Sequence, residues 1–266
     1  MTEQRQKFLV QLGFRCGISG AHAARTMMLN DLRALFNNTS PEATPNDYAS
    51  LIIKNNVLGK PTQKSRELTF HHLVSLYALT PKNPIFRMLR HLWFLDEQAQ
   101  PMLALAVALA RDPLLRRSQE FLLEQPIGAV VSYKMVMQFF DTVYAGRFSP
   151  ASLKSLAQNI VSSWTAAGIL RGRTHKLRVS VSCSPEAITM LLFVSYLEGC
   201  TGQRLFSSSW MKLLGCLPQE SEALVKTASH RGLLFFMSAG DVKEVRFPNS
   251  LTPEEERMRL EVSCVI

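Results

Sequence analysis

The sequence predicts a mainly α fold, with a helical N-terminal domain followed by one or two winged-helix-like units that carry small β-hairpins. Three observations predict this class. Apolar residues recur at three- and four-residue steps through most of the chain, as on one face of a helix. Prolines stand where these stretches begin, a position at which a helix needs no N–H donor. Alternation of apolar and polar residues, typical of strands, is confined to short segments after residue 169.

The first 128 residues are predicted to form a series of helices. Several of the prolines follow a residue whose side chain can accept a hydrogen bond from the first helical turn. These capping residues are Thr44, Asp112, Ser149, Ser184 and Thr252. The predicted helices span residues 21–36, 45–57, 63–79, 84–95, 101–110 and 113–123. No strand is expected before Leu170. Pro126 and Gly128 interrupt the pattern, which divides the chain into predicted domains 1–128, 129–183 and 184–266.

Residues 149–182 predict one long helix followed at once by a hairpin. Ser149 and Pro150 start the helix, and its apolar face carries Leu153, Leu156, Ile160, Val161 and Trp164. The opposite face carries side chains that can form hydrogen bonds, namely Lys154, Ser155, Gln158, Asn159 and Ser162. Gly168 ends the helix. A strand beginning at Ile169, a polar loop over residues 171–175 and a second strand complete the hairpin, with Leu177, Val179 and Val181 expected on its buried face.

The formal net charge is +9, from 30 basic and 21 acidic residues, and such a balance favours polyanionic partners. Between Lys134 and Arg178, seven basic residues outnumber a single acidic residue, Asp141. The cations closest together are Arg171, Arg173, Lys176 and Arg178. We expect these four to contact DNA phosphates, while Lys154, Gln158, Asn159 and Ser162 face the major groove. A solvated helix and an ordinary charged hairpin are the alternative interpretation.

A second basic segment lies between residues 55 and 66. Gly59 is expected to end one helix, and the next helix begins with Lys64 and Arg66 in its first turn, a spacing typical of helix-turn-helix proteins. Cations at a helix N-terminus oppose the helix dipole by themselves, but they become favourable where a phosphate docks. Lys60, Lys64 and Arg66 are therefore candidates for a second contact with the DNA backbone. A simple helix corner is the alternative.

Residues 184–266 predict a second unit of the same order. Helices are expected over residues 184–198, 209–214 and 218–229, and strands over 233–237 and 242–247. In this second hairpin, Lys243 and Arg246 are balanced by Asp241 and Glu244. The hairpin is therefore better suited to packing or to a protein partner than to phosphate.

The sequence carries no motif of a nucleotide, metal or catalytic site. Gly59-Lys60 lacks both the upstream glycine and the following Ser or Thr of a P-loop, and no HExxH, GxSxG or zinc-ligand spacing occurs. We therefore expect a non-enzymatic protein without cofactor or metal. Five widely spaced cysteines favour reduced thiols in the cytoplasm. The longest apolar runs are about half of the ~20 residues that a membrane helix needs, so no membrane partner is expected.

Two segments are similar to those of a known family. The first is Asn55-Asn56-Val57-Leu58-Gly59-Lys60 with Lys64-Ser65-Arg66, and the second is Trp164–Leu170 with the strand that follows. Both resemble BrxA, a small component of bacterial BREX (bacteriophage exclusion) systems. The resemblance implies a mostly helical, non-enzymatic protein that binds double-stranded DNA and serves a phage-defence complex together with a methyltransferase and an ATPase. Residues 184–266 lie outside the resemblance.

The predicted function is that of a DNA-binding accessory protein that holds the duplex mainly through phosphates. Two alternatives stay open. One is a non-catalytic interaction scaffold, for which the apolar strand 233–237 and the 11 methionines would supply adaptable contact surfaces. The other is RNA binding, against which the scarcity of aromatic residues near the basic segments argues, since single strands are held by stacking.

Overall fold

The computed structural model describes residues 2–240 and 242–264. The expected contribution of Asp241 to charge balance in the second hairpin lies outside the described residues. The described chain is mainly helical, with one three-stranded and one two-stranded antiparallel sheet. The predicted mainly α class with small β-hairpins is therefore confirmed.

The helices, in chain order, are α1 (Glu3–Gln11), α2 (Leu29–Phe36), α3 (Pro45–Ala49), α4 (Gln63–Tyr77), α5 (Pro84–Leu92), α6 (Gln100–Arg111), α7 (Pro113–Glu124), α8 (Tyr133–Val143), α9 (Pro150–Ala166), α10 (Pro185–Leu197), α11 (Gln203–Phe206), α12 (Pro218–His230) and α13 (Pro253–Cys264). Shorter helical turns are Ala21–Ala23, Ser50–Lys54, which continues α3, and Met211–Leu213. The strands are β1 (Val130–Val131), β2 (Leu170–Arg171), β3 (Lys176–Arg178), β4 (Phe235–Ala239) and β5 (Val242–Arg246). Across the described residues, none of these helices combines the length and the apolar character that crossing a bilayer requires.

The chain forms two compact units, each assembled from separate stretches. Unit A comprises Met1–Cys16, Asn83–Ala106 and Ser180–Ile266. Unit B comprises Gly17–Lys82 and Val107–Val179. This division differs from the predicted consecutive domains 1–128, 129–183 and 184–266, because the first 128 residues contribute to both units.

In unit A, α10 is the central helix. Every residue from Glu186 to Leu197 is buried, and the helix packs against α5, α12 and α13. A buried carboxylate needs a partner, and Arg231 supplies one with an ion pair of 2.9 Å to Glu186. α1 packs against α13, so the first and last helices of the chain lie together.

In unit B, the chain runs through α7, β1, α8, α9, β2 and β3. The three strands form an antiparallel sheet in the order β1-β3-β2. Val130 pairs with Leu177, and Leu170 pairs with Arg178. α8 packs along α9, so the sheet and the two helices form one continuous region of unit B.

The predicted capping residues fix helix starts in both units. Ser149 accepts a hydrogen bond from the N–H of Ser152 at 3.2 Å, and Asp112 accepts from Leu114 and Leu115 at 3.0 and 3.1 Å. The other predicted caps, Thr44, Ser184 and Thr252, accept equivalent bonds. Side-chain capping and prolines were therefore sufficient to locate these starts.

Two predicted elements in the N-terminal half differ from the structure. The single helix predicted over residues 21–36 is wrong, because residues 24–28 leave helical geometry and Met28 adopts a left-handed conformation with φ of 53°. Their backbone is instead fixed by tertiary hydrogen bonds, among them one from the N–H of Met27 to Ser163. The expectation of no strand before Leu170 is also wrong, because β1 adds an edge strand to the sheet.

The other differences concern short elements. α1, α8 and α11 were not predicted, and the helix predicted over residues 209–214 is reduced to the turn Met211–Leu213. The helix predicted to reach Val57 ends at Lys54. Asn56 and Gly59 then take left-handed conformations, with φ of 51° and 62°, and these turn the chain toward α4.

Candidate nucleic-acid interface

α9 is the helix whose start and buried face follow most directly from the sequence. Ser149 caps it and Pro150 occupies its first position. The predicted apolar face is confirmed, since Leu153, Leu156, Ile160, Val161 and Trp164 are all buried. The indole N–H of Trp164 donates to Ser118 Oγ at 2.9 Å, which fixes α9 against α7.

The opposite face of α9 is largely open to solvent. Lys154, Gln158 and Ser162 are exposed, at steps of four residues, and therefore form a row along one side of the helix. The expectation of a fully exposed position is wrong for Asn159. It is half-buried, and its amide nitrogen donates to the carbonyl of His22 at 3.0 Å, so it serves packing within unit B.

The basic loop, residues 171–175, joins β2 to β3 and is exposed throughout. Its sharp turn depends on Gly172, which has φ of 125°. An added Cβ there would lie 2.0 Å from the carbonyl oxygen of His175. Arg171 and Arg173 form neither an ion pair nor a side-chain hydrogen bond with any residue that the structure describes. Two guanidinium groups are thus free to meet an external anion.

Strand β3 has the opposite orientation from the one predicted. Leu177 is 41% exposed, whereas the flanking Lys176 and Arg178 are half-buried. The expected alternation through Ser182 is wrong, because β3 ends at Arg178 and its register with β1 places Leu177 beside Val130 on the outer face of the sheet. Val130 is also exposed, so the two side chains form an apolar pair on the surface.

Arg178 closes the C-terminal end of α7. Its guanidinium donates to the carbonyls of Leu122 at 2.9 Å and Leu123 at 3.0 Å, and also to that of Gln125. The carbonyls at the end of a helix lack partners within the helix and carry partial negative charge, so a cation is favourable there. Burial lowers the pKa of Arg178. This predicted phosphate ligand is therefore engaged within unit B.

Lys176 is the fourth cation of the predicted cluster. Its side chain is half-buried, and the ammonium donates to the carbonyl of Gly172 at 3.3 Å, across the mouth of the loop. Within residues 2–240 and 242–264, no carboxylate forms an ion pair with any of the four cations Arg171, Arg173, Lys176 and Arg178.

The second predicted basic segment is partly engaged as well. Lys60 forms an ion pair of 2.8 Å with Asp31. Arg66 donates to the carbonyls of Lys60 and Ile53, both at 3.3 Å, and so holds the turn that precedes α4. Lys64 is exposed and has no hydrogen-bond or ion-pair partner among the described residues.

A buried polar network, which sequence reasoning missed, holds α9 in place. His22 Nδ1 lies 2.9 Å from Asp112 Oδ2, and His22 Nε2 lies 2.8 Å from Ser163 Oγ. All three side chains are almost completely buried. Ser163 Oγ also accepts from the N–H of Met27 and donates to the carbonyl of Asn159. The hydroxyl is thus enclosed and fully bonded, so the arrangement positions helices and leaves no room for a substrate.

The charge on Asp112 is stabilised by its surroundings. Burial by itself raises the pKa of Asp112, but the adjacent His22 ring and the hydrogen bonds from His22 and Leu115 outweigh burial and hold the pKa below its usual value. No spacing rule connects residues 22, 112 and 163. Of the three residues, the sequence indicated a role only for Asp112, as the cap of α7. That role uses one of its two carboxylate oxygens.

The structure brings part of the two predicted basic segments together. A cleft of about 670 Å³ in unit B is lined by Lys60 and Ser65 from the segment before and within α4, and by Ser162 from α9. The remaining lining residues lie between Arg25 and Arg33, together with Thr69 and Ala166. Segments that are 100 residues apart in the sequence therefore share one basic surface.

The chain matches no protein-family model, and no curated protein matches it at a significant level. The resemblance of residues 55–66 and 164–170 to BrxA therefore stays a prediction based on those two motifs.

Proposed function

We propose that the protein binds double-stranded DNA through the region from α7 to β3. The observation that carries this proposal is the order of its elements. A helix, a strand, two helices and a hairpin follow one another, and the first strand pairs with the last. This order and pairing support a winged-helix-like arrangement, in which the helix before the hairpin would enter the major groove.

The exposed side chains of this region suit the two kinds of DNA contact. Lys154, Gln158 and Ser162 lie on the open side of α9. In the proposed arrangement α9 is the recognition helix. Gln can pair with an adenine edge, whereas Lys and Ser can bind bases or phosphates. Arg171, the exposed last residue of β2, and Arg173, in the loop that follows, supply phosphate contacts, which give affinity without sequence preference.

Some of the predicted DNA-contact residues have structural roles within unit B. Arg178 and Asn159 hold unit B together, and Arg66 holds the turn before α4. We therefore expect Arg171, Arg173 and Lys154 to account for most of the electrostatic affinity, with Lys64 as a weaker additional contact.

The test is the salt dependence of binding to a short random-sequence duplex, measured by fluorescence anisotropy. The double variant Arg171→Ala, Arg173→Ala removes two phosphate contacts, so the slope of log K against log salt should become shallower by about 2. The control double variant, Lys212→Ala with Arg257→Ala, removes the same charge from exposed positions of unit A. An unchanged slope in the first variant, or equal changes in both, would count against the proposed interface.

A second candidate, an interaction scaffold, is favoured by the second hairpin. The register of β4 with β5 places Phe235 and Met237 on the same face, and both are exposed, at 42% and 50%. An apolar face of this kind suits a protein partner. Co-purification from cells with and without nuclease separates the candidates, because partners that survive nuclease treatment and are lost in Phe235→Ser, Met237→Ser support the scaffold.

The phage-defence role is a further proposal, and it is supported by the resemblance to BrxA alone. In that setting the partners would be a methyltransferase and an ATPase of the same defence complex. Phage plating on cells that carry the system with and without this gene tests the role. Equal plating in both strains would contradict it, whatever the outcome of the DNA-binding measurements.

A further inference from the structure

The cleft of unit B concentrates positive charge. Three cations line it, Arg25, Arg33 and Lys60, against one carboxylate, Asp31. The formal balance of the lining is therefore +2, and an anion entering the cleft would meet a favourable potential.

The first turn of α2 opens onto the same cleft. Leu29, Asn30 and Asp31 all belong to the lining. No side chain caps this helix, since the preceding residue is Met28, and the first bond of the helix runs from the N–H of Leu32 to the carbonyl of Met28. The three earlier N–H groups have no hydrogen-bond partner in the described part of the chain. Such groups, together with the helix dipole, favour an anion.

A buried threonine whose hydroxyl forms no hydrogen bond supplies an independent observation. Thr69 is 4% exposed and lines the cleft, yet its hydroxyl forms no hydrogen bond with any residue in the described ranges. The residue is held among packed side chains, while its hydroxyl stays available to a ligand in the cleft. Ser162, across the cleft on α9, presents a second hydroxyl without a partner among those residues.

We propose that this cleft binds a phosphate group. The N–H groups of Leu29, Asn30 and Asp31 and the hydroxyls of Thr69 and Ser162 donate to its oxygens. The three cations stabilise its charge. The phosphate belongs either to a nucleic-acid strand or to a free nucleotide. Only the first source rests on the proposed DNA-binding function.

In the ion pair of Lys60 with Asp31, the carboxylate competes with a bound phosphate for the Lys60 ammonium group. At 2.8 Å the carboxylate of Asp31 occupies the ammonium group that a phosphate would use. Removing the carboxylate should therefore strengthen phosphate binding, while removing the ammonium should weaken it. If the ion pair only stabilised the shape of the cleft, loss of either side chain would weaken phosphate binding.

The size of the cleft bears on the source of the phosphate. A volume of about 670 Å³ lies within the range of ~300–1,000 Å³ typical of small-molecule sites, and it exceeds the needs of a bare phosphate. We therefore include three probes, which are inorganic phosphate, a nucleoside monophosphate and a short DNA duplex. Each is compared with chloride at equal ionic strength.

The measurement is the amide NMR shift of Leu29, Asn30 and Asp31 during titration of the wild-type protein with each probe. We expect saturable shifts of these amides with at least one probe and none with chloride. A response to the duplex alone identifies a strand phosphate, and a response to the nucleotide identifies a free ligand. If these amides stay silent with all three probes, the proposal is overturned.

Variants then assign the response to the cleft. Thr69→Val keeps the shape of the side chain and should weaken binding about tenfold, the effect of losing one hydrogen bond to a charged group. Thr142→Val, a helical threonine outside the cleft, is its control. Asp31→Asn should strengthen binding and Lys60→Met should weaken it. Shifts of affinity in the same direction for these two variants would also overturn the proposal.

Failure here is distinguishable from failure of the DNA-binding function. The titration with the nucleotide does not involve Arg171 or Arg173, so it reports on the cleft even if duplex binding is absent. Conversely, duplex binding that depends on Arg171 and Arg173 while Leu29–Asp31 stay silent with all three probes supports the interface on α9 and overturns the phosphate site.

Discussion

Asp112 accepts two hydrogen bonds from His22, one from the ring Nδ1 and one from the backbone N–H, both at 2.9 Å. Its other oxygen caps α7. One buried carboxylate therefore ties the turn at Ala21–Ala23 to the helix that begins the proposed DNA-binding region. Through Ser163, the His22 ring extends the same connection to α9.

Asp112→Asn should destabilise the protein by about 3–5 kcal/mol, because it replaces a buried carboxylate that accepts four hydrogen bonds with an amide whose NH2 group cannot accept any. The measurement is the free energy of unfolding in urea, with Asp141→Asn as the control, an exposed carboxylate on α8. Equal stability of the two variants would contradict a structural role for the contact.

The contribution of Asp112 should depend on pH with a defined sign. Its pKa is lowered in the folded protein, so its stabilisation is present above the unfolded-state pKa of ~4 and is lost as pH falls through the lower, folded value. The difference in stability between wild type and Asp112→Asn should thus shrink as pH falls below ~4. If this difference in stability instead grew as pH fell, the predicted direction of the pKa change on folding would be wrong.

Arg178→Ala and Arg173→Ala should separate structure from binding. Loss of the Arg178 contacts at the end of α7 should cost about 2 kcal/mol of stability. Arg173 is exposed and unpaired within the described chain, so its loss should change stability by less than ~0.5 kcal/mol while weakening DNA binding. Denaturant unfolding and anisotropy on both variants check this. The reverse pattern would refute the assignment.

Gly172→Ala should distort the basic loop. A side chain at φ of 125° is strained, and its Cβ would overlap the carbonyl of His175, so a cost of about 1–3 kcal/mol is expected locally. Hydrogen exchange of the amide of Val179, which donates to Ile169 beside the loop, should become faster. Thr174→Ala in the same loop should leave the exchange rate unchanged.

Two substitutions on the open side of α9 should have different effects on DNA. Lys154→Ala should weaken binding to all sequences and reduce the salt slope by about 1. Gln158→Ala should leave the slope unchanged and alter the preference among duplexes, if its amide meets a base edge. Anisotropy over a set of duplexes at several salt concentrations distinguishes these outcomes.

The helices that could be predicted from the sequence are those fixed by residues close to one another in the chain. The cap at Ser149 and the apolar spacing from Leu153 to Trp164 were sufficient for α9, because both act within a few residues of sequence. The same holds for α10, whose cap Ser184 and long apolar run lie together. The mainly α class follows from the repetition of this pattern.

Contacts between distant residues account for the errors. The segment after Ala23 has a helical composition, but the hydrogen bonds of Met27 with Ser163 and Tyr77 hold it in another conformation. Leu177 faces outward because Arg178 must face the end of α7. β1 contains two residues and exists only through its pairing with β3. Neither periodicity nor composition carries such information.

The pairing of α1 with α13 constrains how the chain can be made and cut. Unit A joins α1 to α13, which are far apart in the sequence, so its folding involves long loop closures. No uninterrupted fragment contains one unit in full without part of the other. A fragment that ends at Lys82 or begins at Asn83 should therefore be unstable, because it contains only part of each unit.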